Sequence, residues 1–324
     1  MRTSTAGAAS VLPPQWRGRP PACLRRLAGV TAWVAGIGLA NACTVELAGQ
    51  APLTKSRFLY ETPVSINGQA PMLFLVDTGA VRTKIHAAAS SQLGLMGNGR
   101  RSYAIGTDGS RGPTTEDVTA PSLEFAGVVH VSKNLAIDPL LVDGRPTKAG
   151  TVGADLLSGY DVELDFPAGQ LRLHRVKECN DSDQPLRPWT SPYNTVPLKR
   201  SSRGLISLPV VMDGKALELA LDTGSNRTSV SMKAAVDKLG LDVDLLKAQA
   251  PPKRSTNSTG AHAVSYAKRL ERIDIGRQSY GNVEILFSEL EVAPYDGLLG
   301  LDFLGNRKIW LSYATGQMFL ASTK

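Results

Sequence analysis

Short apolar runs, rather than long amphipathic periods, dominate this chain. They are rich in branched or aromatic residues and are bounded by Gly, Pro or Asn, which is typical of β-strands. The clearest runs span residues 73–76, 162–166, 217–221 and 309–313. Helical periodicity is scarce, and the best short-helix candidates are residues 87–93 and 232–239. The pattern therefore predicts a mostly β fold with a few short helices.

The chain contains an internal repeat that is centred on the triplet Asp-Thr-Gly. The triplet occurs as Asp77-Thr78-Gly79 and as Asp222-Thr223-Gly224, each time at the end of an apolar run. The two copies lie 145 residues apart (222 − 77), and Arg-Thr follows both at the same interval, at 82–83 and 227–228. The preceding segments also correspond, since residues 62–68 read TPVSING and residues 208–214 read LPVVMDG.

A second matched segment lies near the end of each half. Residues 152–157 read VGADLL and residues 299–304 read LGLDFL, at an offset of 147 (299 − 152). A repeat this long is a duplicated lobe rather than a solenoid unit, whose repeats run roughly 20–50 residues. Two matched carboxylates from two matched halves predict one shared active site.

Each half resembles a retropepsin-type aspartic protease subunit, with Asp-Thr-Gly followed later by an apolar-apolar-Gly-x-Asp segment. The whole chain resembles two such subunits fused, over about residues 58–322. The resemblance implies an all-β, bilobal acid-protease architecture: two β-barrel lobes are related by a pseudo-two-fold axis, with the active site between them. The expected division is a leader (1–42), an N-terminal linker (43–57), lobe 1 (58–176), a polar, Pro-rich interlobe linker (177–195) and lobe 2 (196–324).

In such an arrangement Asp77 and Asp222 are the expected catalytic residues. Two close carboxyls cannot both ionise readily, so they share one proton, as aspartic proteases do. The ionised member deprotonates a water, and the protonated member polarises the scissile carbonyl and later helps to protonate the amine. This chemistry requires no cofactor and no metal, and the four His residues show no metal-ligand spacing.

The other residues of the triplets have supporting roles in this interpretation. Gly79 and Gly224 let the backbone turn tightly beside each carboxylate and offer N–H donors. The resemblance implies that Thr78 and Thr223 hydrogen-bond across to the opposite lobe and hold the two loops in register.

The residue after each triplet differs between the halves. Ser225 follows the second triplet, and its hydroxyl could donate to Asp222, whereas Ala80 follows the first triplet and offers no side-chain donor. A donated hydrogen bond favours the ionised form of a carboxyl. We therefore expect Asp222 to be the charged member of the pair and Asp77 the protonated one.

The Gly-x-Asp segments contain a second pair of acids, Asp155 and Asp302. The resemblance implies that these segments lie beneath the catalytic loops. We therefore interpret the two acids as structural, with partners in the Arg-Thr pairs 82–83 and 227–228.

The resemblance also implies a hairpin flap above the cleft. The Gly-rich stretch 103–112 fits a mobile hairpin tip, with Tyr103, Gly106 and Gly109 as substrate-contacting candidates. Residues 255–262 are the positional equivalent in the second half, with a weaker turn signal. Each stretch could instead be an ordinary surface loop.

The N-terminus has the pattern of an export signal. Arg25-Arg26 precedes an uncharged apolar stretch and the small-x-small sequence Ala40-Asn41-Ala42, and Cys43 follows at once. Three outcomes stay open: a lipoprotein acylated on Cys43, a soluble exported protein, or an uncleaved membrane anchor. If Cys43 is acylated then Cys179 is a free thiol, and otherwise the two can pair. The expected location is the periplasm or cell envelope.

The net charge of +7 does not indicate nucleic-acid binding. Five arginines precede Cys43 without any acidic residue, which leaves 31 basic residues (36 − 5) against 29 acidic ones. The expected partner is an extended peptide or protein segment that adds a strand beneath the flap, bound by a monomer. Two functions remain, an aspartic endopeptidase and a catalytically silent peptide-binding module of the envelope. The retained Asp, Thr and Gly pairs favour the enzyme.

Overall fold

The computed structural model describes residues 43–139, 149–177, 179, 186–256, 259, 262–290 and 292–322. The expected leader, residues 1–42, lies outside this part of the chain. The described residues form an all-β protein with five short helices, as the apolar pattern predicts. Within them, none of the helices combines the length and apolarity that crossing a membrane requires.

The first half forms an eight-stranded sheet that closes on itself. Pairing of the second strand with the seventh in the spatial order closes six strands into a barrel. In spatial order the strands are β2 (Thr54–Ser56), β3 (Leu59–Ile66), β4 (Met72–Val76), β9 (Gly150–Val152), β5 (Lys84–His86), β8 (Val128–Asp138), β7 (Thr115–Phe125) and β6 (Gly97–Ser102).

The second half repeats this topology strand for strand, including the pairing that closes the barrel. Its strands, in the same spatial order, are β13 (Lys199–Arg200), β14 (Ile206–Met212), β15 (Lys215–Leu221), β20 (Gly297–Leu299), β16 (Ser229–Ser231), β19 (Gln278–Ser288), β18 (His262–Ile275) and β17 (Lys253–Thr256). The expectation of a bilobal acid-protease architecture is confirmed.

Local sequence explains why the two barrels begin alike. Asn67-Gly68 connects β3 to β4, and Asp213-Gly214 connects β14 to β15, with all four residues at positive φ. Such dipeptides favour the tight turn that matches the twist of a two-stranded hairpin. Alternate residues of the strands then point into each barrel, where Phe74 and Leu219 are fully buried.

A third sheet of six strands joins the two halves. Its spatial order is β1 (Thr44–Pro52), β11 (Gln170–Lys177), β10 (Asp161–Asp165), β21 (Lys308–Ser312), β22 (Gln317–Ala321) and β12 (Tyr193–Pro197). The first three strands come from the first half and the last three from the second. The halves meet where β10 pairs antiparallel with β21, and this pairing sets Val162 opposite Leu311 and Leu164 opposite Ile309.

The helices are short, and four of the five form two equivalent pairs with one member in each half. They are α1 (Ala87–Gln92), α2 (Ala154–Leu157), α3 (Met232–Asp237), α4 (Val243–Gln249) and α5 (Leu301–Leu304). Helices α1 and α3 are those that the sequence pattern predicts. Helix α4 was not expected, and it begins where the Asp242 carboxylate accepts a hydrogen bond from the Leu245 N–H at 3.0 Å.

The two segments expected as linkers contain strands. Residues 43–57 hold β1 and β2, and the end of the 177–195 segment holds the start of β12. The apolar pattern does not indicate β1, because this strand is mostly exposed and lacks a clear apolar period. Its strand conformation comes from pairing with β11, which supplies backbone partners along its length.

Cys43 forms a disulfide with Cys179, across 136 residues of chain. The bond joins the residue before β1 to a residue just after β11, and so secures the edge of the interlobe sheet. A sulfur in a disulfide cannot carry a thioether-linked lipid, so the structure contradicts lipidation at Cys43. It shows the other expected outcome, in which Cys43 pairs with Cys179. In the chain-entropy description, a loop of this length stabilises the fold by about 5 kcal/mol.

A buried carboxylate strengthens the seam between the halves. The carboxylate of Glu163, on β10, lies 2.7 Å from Lys308 Nζ of β21 and 3.0 Å from His174 Nε2. Arg172 lies 3.3 Å from the same carboxylate. Burial alone raises the pKa of Glu163, but the hydrogen bonds from His174 and Lys308 outweigh it and hold the pKa at about 2.

We expect Glu163 to stabilise the protein above its ordinary pKa and to lose this effect as the pH falls towards about 2. The difference between the ordinary pKa of a glutamate and the value of about 2 in the folded protein corresponds to about 3 kcal/mol of unfolding free energy at neutral pH. Denaturant unfolding between pH 7 and pH 2 should show that wild type is more stable than Glu163→Gln at pH 7, and that this gap in unfolding free energy shrinks as the pH falls. Glu46→Gln is the control, since Glu46 lies exposed on the same sheet. A gap that is independent of pH would contradict the prediction.

Candidate active site

The two Asp-Thr-Gly triplets follow equivalent strands, one in each barrel. Asp77 comes directly after β4, and its N–H donates to the Val152 carbonyl at 3.0 Å. Asp222 comes directly after β15, and its N–H donates to the Leu299 carbonyl at 3.0 Å. Each triplet is therefore fixed to the end of a neighbouring parallel strand, and both loops reach the cleft between the halves.

Each glycine of the triplets lies against the carboxyl group of the opposite half. A Cβ atom built on Gly79 would lie 2.6 Å from Cγ of Asp222, and one built on Gly224 would lie 2.5 Å from Cγ of Asp77. Only glycine fits at this distance. The close approach lets the two carboxyls share a hydrogen bond, as the sequence pairing predicts.

The threonines bind the two loops together, as the resemblance implies. The Thr78 N–H donates to Thr223 Oγ1 at 3.1 Å, and the Thr223 N–H donates to Thr78 Oγ1 at 3.1 Å. Each hydroxyl also donates into the opposite half, Thr78 to the Leu221 carbonyl at 2.8 Å and Thr223 to the Val76 carbonyl at 2.7 Å. These four reciprocal bonds are fully buried, which fixes the spacing of the loops.

Thr223→Val should destabilise the protein by about 2–5 kcal/mol, since it leaves the buried Thr78 N–H and Val76 carbonyl unpaired. Urea unfolding of the purified variant measures the change. Thr62→Val is a matched control, because the Thr62 hydroxyl is buried and has no hydrogen-bond partner among the described residues. Equal stabilities of the two variants would show that the cross-lobe bonds contribute nothing.

The two carboxyls have different environments. Asp77 is half-buried, and its Oδ1 accepts the N–H groups of Gly79 at 2.9 Å and Ala80 at 3.0 Å. Asp222 is buried, and its Oδ1 accepts the Gly224 N–H at 2.8 Å. Burial raises the pKa of Asp222 well above its usual range, and the charge of Asp77 raises it further. Burial and the neighbouring Asp77 carboxyl thus favour the protonated form of Asp222.

The raised pKa of Asp222 is opposite in direction to the effect expected from a hydrogen bond donated by Ser225. The Ser225 hydroxyl donates to the Arg227 carbonyl at 2.8 Å rather than to Asp222. It therefore closes its own turn and leaves the carboxyl without a side-chain donor from that position. The raised pKa of Asp222 comes from its burial and from the neighbouring Asp77, which a comparison of Ala80 with Ser225 does not reveal.

The acids of the second motif lie beneath the loops and bind their threonines. Asp155 Oδ1 accepts both the N–H and the hydroxyl of Thr83 at 2.7 Å. Asp302 Oδ1 accepts the N–H of Thr228 at 2.9 Å and its hydroxyl at 2.7 Å. The structural interpretation of these acids agrees with the contacts.

The arginines before those threonines make only one of the two expected contacts. Arg227 Nε lies 3.5 Å from Asp302, as expected. Arg82 instead bonds the fully buried Asp117 at 2.7 Å, and Lys133 takes its place beside Asp155 at 2.8 Å. Asp117, on β7, is a fully buried carboxylate that also accepts the Ser102 hydroxyl and lies 3.6 Å from Arg100, and a buried charge requires such close partners.

A cleft of about 550 Å³ runs between the halves and contains both Asp77 and Asp222. Its volume is within the usual range for binding sites of small ligands and peptide segments. The first half contributes the loop after β4, parts of β5 and β8, and residues of the predicted flap. The second half contributes the loop after β15, parts of β16, β18 and β19, and Arg203.

The predicted flap is a hairpin over this cleft. Ile105 and Arg111 form an antiparallel bridge, and the tip closes with the Gly109 N–H on the Gly106 carbonyl at 3.0 Å. Gly109 has φ 75°, which requires glycine at this turn. Tyr103 lines the cleft, and the Arg111 guanidinium stacks over its ring at 3.6 Å from the centroid. Gly106 and Gly109 shape the tip without lining the cleft.

The second predicted flap is described only in part. Strands β17 and β18 pair through Ser255 with Ala263 and through Thr256 with His262, which gives the base of a hairpin. Residues 257, 258, 260 and 261 lie outside the described residues. At Thr259 the hydroxyl hydrogen-bonds the Ser110 hydroxyl of the first flap. Contact between the two hairpins was not foreseen from the sequence.

The described residues contain no group of three or more His, Cys, Asp or Glu side chains placed to hold a metal ion. Sequence reasoning also missed two cleft residues, Lys84 and Arg203. Lys84 directly follows the Arg82-Thr83 motif, and this position next to a repeated motif is the sequence signal that indicates its place near the site. Nothing in the sequence around Arg203 indicates its place in the cleft.

Two closed barrels, paired Asp-Thr-Gly loops and a cleft above them define a two-lobed acid-protease fold. A family model described as aspartyl protease matches residues 62–156 and 208–303, which is more than half of the chain. The chain belongs to the aspartyl protease family. A solved structure, the aspartic proteinase from Irpex lacteus, matches with a TM-score of 0.53 at 14% identity, over 87% of this chain and 98% of that one. No curated protein sequence matches the chain.

Proposed function

We propose that this protein is an aspartic endopeptidase that hydrolyses peptide bonds with a water activated between Asp77 and Asp222. The observation that carries the proposal is that the carboxyls of Asp77 and Asp222, one from each half, share a hydrogen bond in the cleft, where burial and the charge of Asp77 raise the pKa of Asp222. Burying two adjacent carboxyls is energetically unfavourable, and a peptide-binding module without catalysis has no need for such a pair.

The roles follow from the environment of each carboxyl. Asp77 carboxylate takes a proton from the water as it attacks the scissile carbonyl carbon. Asp222 donates a hydrogen bond to the carbonyl oxygen and stabilises the charge that develops on it. When the C–N bond of the tetrahedral intermediate breaks, a proton passes to the leaving amine and the pair returns to its starting state.

The cleft favours an extended peptide as substrate. The flap lies opposite the two aspartates, and both halves provide strand edges and side chains along the cleft. An extended segment offers its backbone N–H and carbonyl groups to such surroundings. Both carboxyls come from one chain, so the proposed active unit is a monomer.

We also propose that the protein acts outside the cytoplasm. The Cys43–Cys179 disulfide supports this location, because structural disulfides persist in oxidising compartments. The export pattern in the leader supports it independently.

The test is incubation of the purified protein with a diverse peptide mixture from about pH 3 to pH 8, with products identified by mass spectrometry. In water enriched in oxygen-18, one labelled oxygen should appear in each new carboxyl terminus. Because the pKa of Asp222 is raised, activity should persist as the pH rises and be lost only when Asp222 deprotonates. A folded protein that cleaves no peptide at any pH would favour the silent binding module.

A further inference from the structure

The two halves of the cleft differ in charge, although the halves share one topology. At the position after the Arg-Thr pair of each half, Lys84 stands on β5 and Ser229 stands on β16. Both residues line the cleft. The next residue of each strand, Ile85 or Val230, is fully buried in its barrel, so the strand alternation directs Lys84 and Ser229 towards the cleft.

The strands beside these two residues increase the difference. Lys84 is paired with Ala136 and Thr151, whereas Ser229 is paired with Leu286 and Leu298. The residues paired with Ser229 are therefore apolar and uncharged, around a small hydroxyl. The wall in the first half presents an ammonium group.

Lys84 also differs from the two arginines that line the cleft near it. Arg82 is bound to Asp117 at 2.7 Å, and Arg227 is bound to Glu284 at 2.8 Å, so their charges are already matched. Lys84 has no acidic partner within 4.0 Å among the described residues. Asp138, the third acidic residue of the cleft, lies opposite His86 in the strand register and makes no ion pair with Lys84 within 4.0 Å.

A second cation, Arg203, also lines the cleft. Arg203 comes from the second half, but a Cβ atom built on the adjacent Gly204 would lie 3.0 Å from Ser158 Oγ and 3.3 Å from Ala154 Cβ of the first half. The turn thus lies against α2, and Arg203 lines the cleft without an acidic partner among the described residues.

We infer that the subsite walled by Lys84 selects an acidic side chain of an extended peptide, with Arg203 adding to the positive potential. The inference rests on the proposed function, because the peptide occupies the cleft above Asp77 and Asp222. The carboxylate of a substrate Glu or Asp supplies the counter-charge that Lys84 lacks. The equivalent subsite beside Ser229 has no such preference.

The experiment compares Glu with Gln at each position flanking the scissile bond of one cleaved peptide. At one position, Glu should exceed Gln in kcat/KM by roughly tenfold, the effect of a charge-assisted contact at a partly exposed site. In Lys84→Ser, which copies the other half, the ratio should fall to about one. In Ser229→Lys, a second preference for Glu should appear on the other side of the scissile bond.

Lys84→Met provides a second neutral variant of similar length, and thermal melting shows that each variant is folded. Wild type that treats Glu and Gln alike at every position overturns the inference and leaves the proposed function intact. A preference for Glu that survives in Lys84→Ser and Lys84→Met overturns it as well. If wild type cleaves no peptide, the proposed function fails, and calorimetric titration with the same Glu and Gln peptides then decides the inference by the same ratio.

Discussion

Asp77→Asn and Asp222→Asn should each reduce peptide hydrolysis by at least about a thousandfold while the fold stays intact. Asp77→Asn removes the carboxylate that accepts the proton of the attacking water. Asp222→Asn keeps a hydrogen-bond donor beside the scissile carbonyl but removes the proton that the pair shares. Initial rates on one cleaved peptide measure the loss, and melting temperatures show that the fold is retained.

Glu271→Gln is the matched control for these two variants, since it makes the same chemical change at an exposed residue on β18. It should behave as wild type. If either asparagine variant keeps substantial turnover after contaminating proteases are removed, the shared-proton mechanism is wrong. A loss in only one of the two would assign the chemistry to a single carboxyl.

Gly79→Ala and Gly224→Ala should each lower kcat/KM by at least about a hundredfold, because displacement of a reacting group by about 1 Å has an effect of that size. The added methyl would lie within 2.6 Å of the carboxyl carbon of the opposite aspartate, so the carboxyl must move. The disturbance should therefore affect catalysis more than global stability. Kinetics and denaturant unfolding of the same preparations separate the two effects.

Gly281→Ala is the control for the glycine variants, since the nearest atom to its added methyl would be the Glu271 carbonyl oxygen at 3.8 Å. This variant should keep wild-type activity. Full activity in Gly224→Ala would contradict the close approach of the glycine to Asp77. An equal loss of activity in all three variants would show that alanine disturbs the backbone generally and does not act through the carboxyl pair.

The sequence predicts the parts of this protein that repeat. The two triplets and the two Gly-x-Asp segments stand at matching intervals, so the pairing of the halves and the place of the two aspartates follow from the chain alone. The strands at 73–76 and 217–221 are predicted because apolar runs with turn residues at their ends need no distant partner to be recognised.

The features that depend on a distant partner could not be predicted. Strand β1 is extended because β11 lies beside it, and its own residues are mostly exposed. The hydroxyl of Ser225 turns to a backbone carbonyl of its own loop, which the residue type does not specify. Arg82 chooses Asp117 over Asp155 because Asp117 is fully buried, and burial is a property of the folded chain.

The pairing of β10 with β21 has a consequence for how such a cleft can diversify. Two separate copies of one half would meet along this seam only at sufficient protein concentration, and both would carry the same side chains. A single chain sets a high effective concentration of one half for the other, so assembly no longer depends on how much protein is present. Each half can then change alone, and Lys84 opposite Ser229 is such a change. Fusion thus allows different side chains to bind the substrate residues on the two sides of the scissile bond.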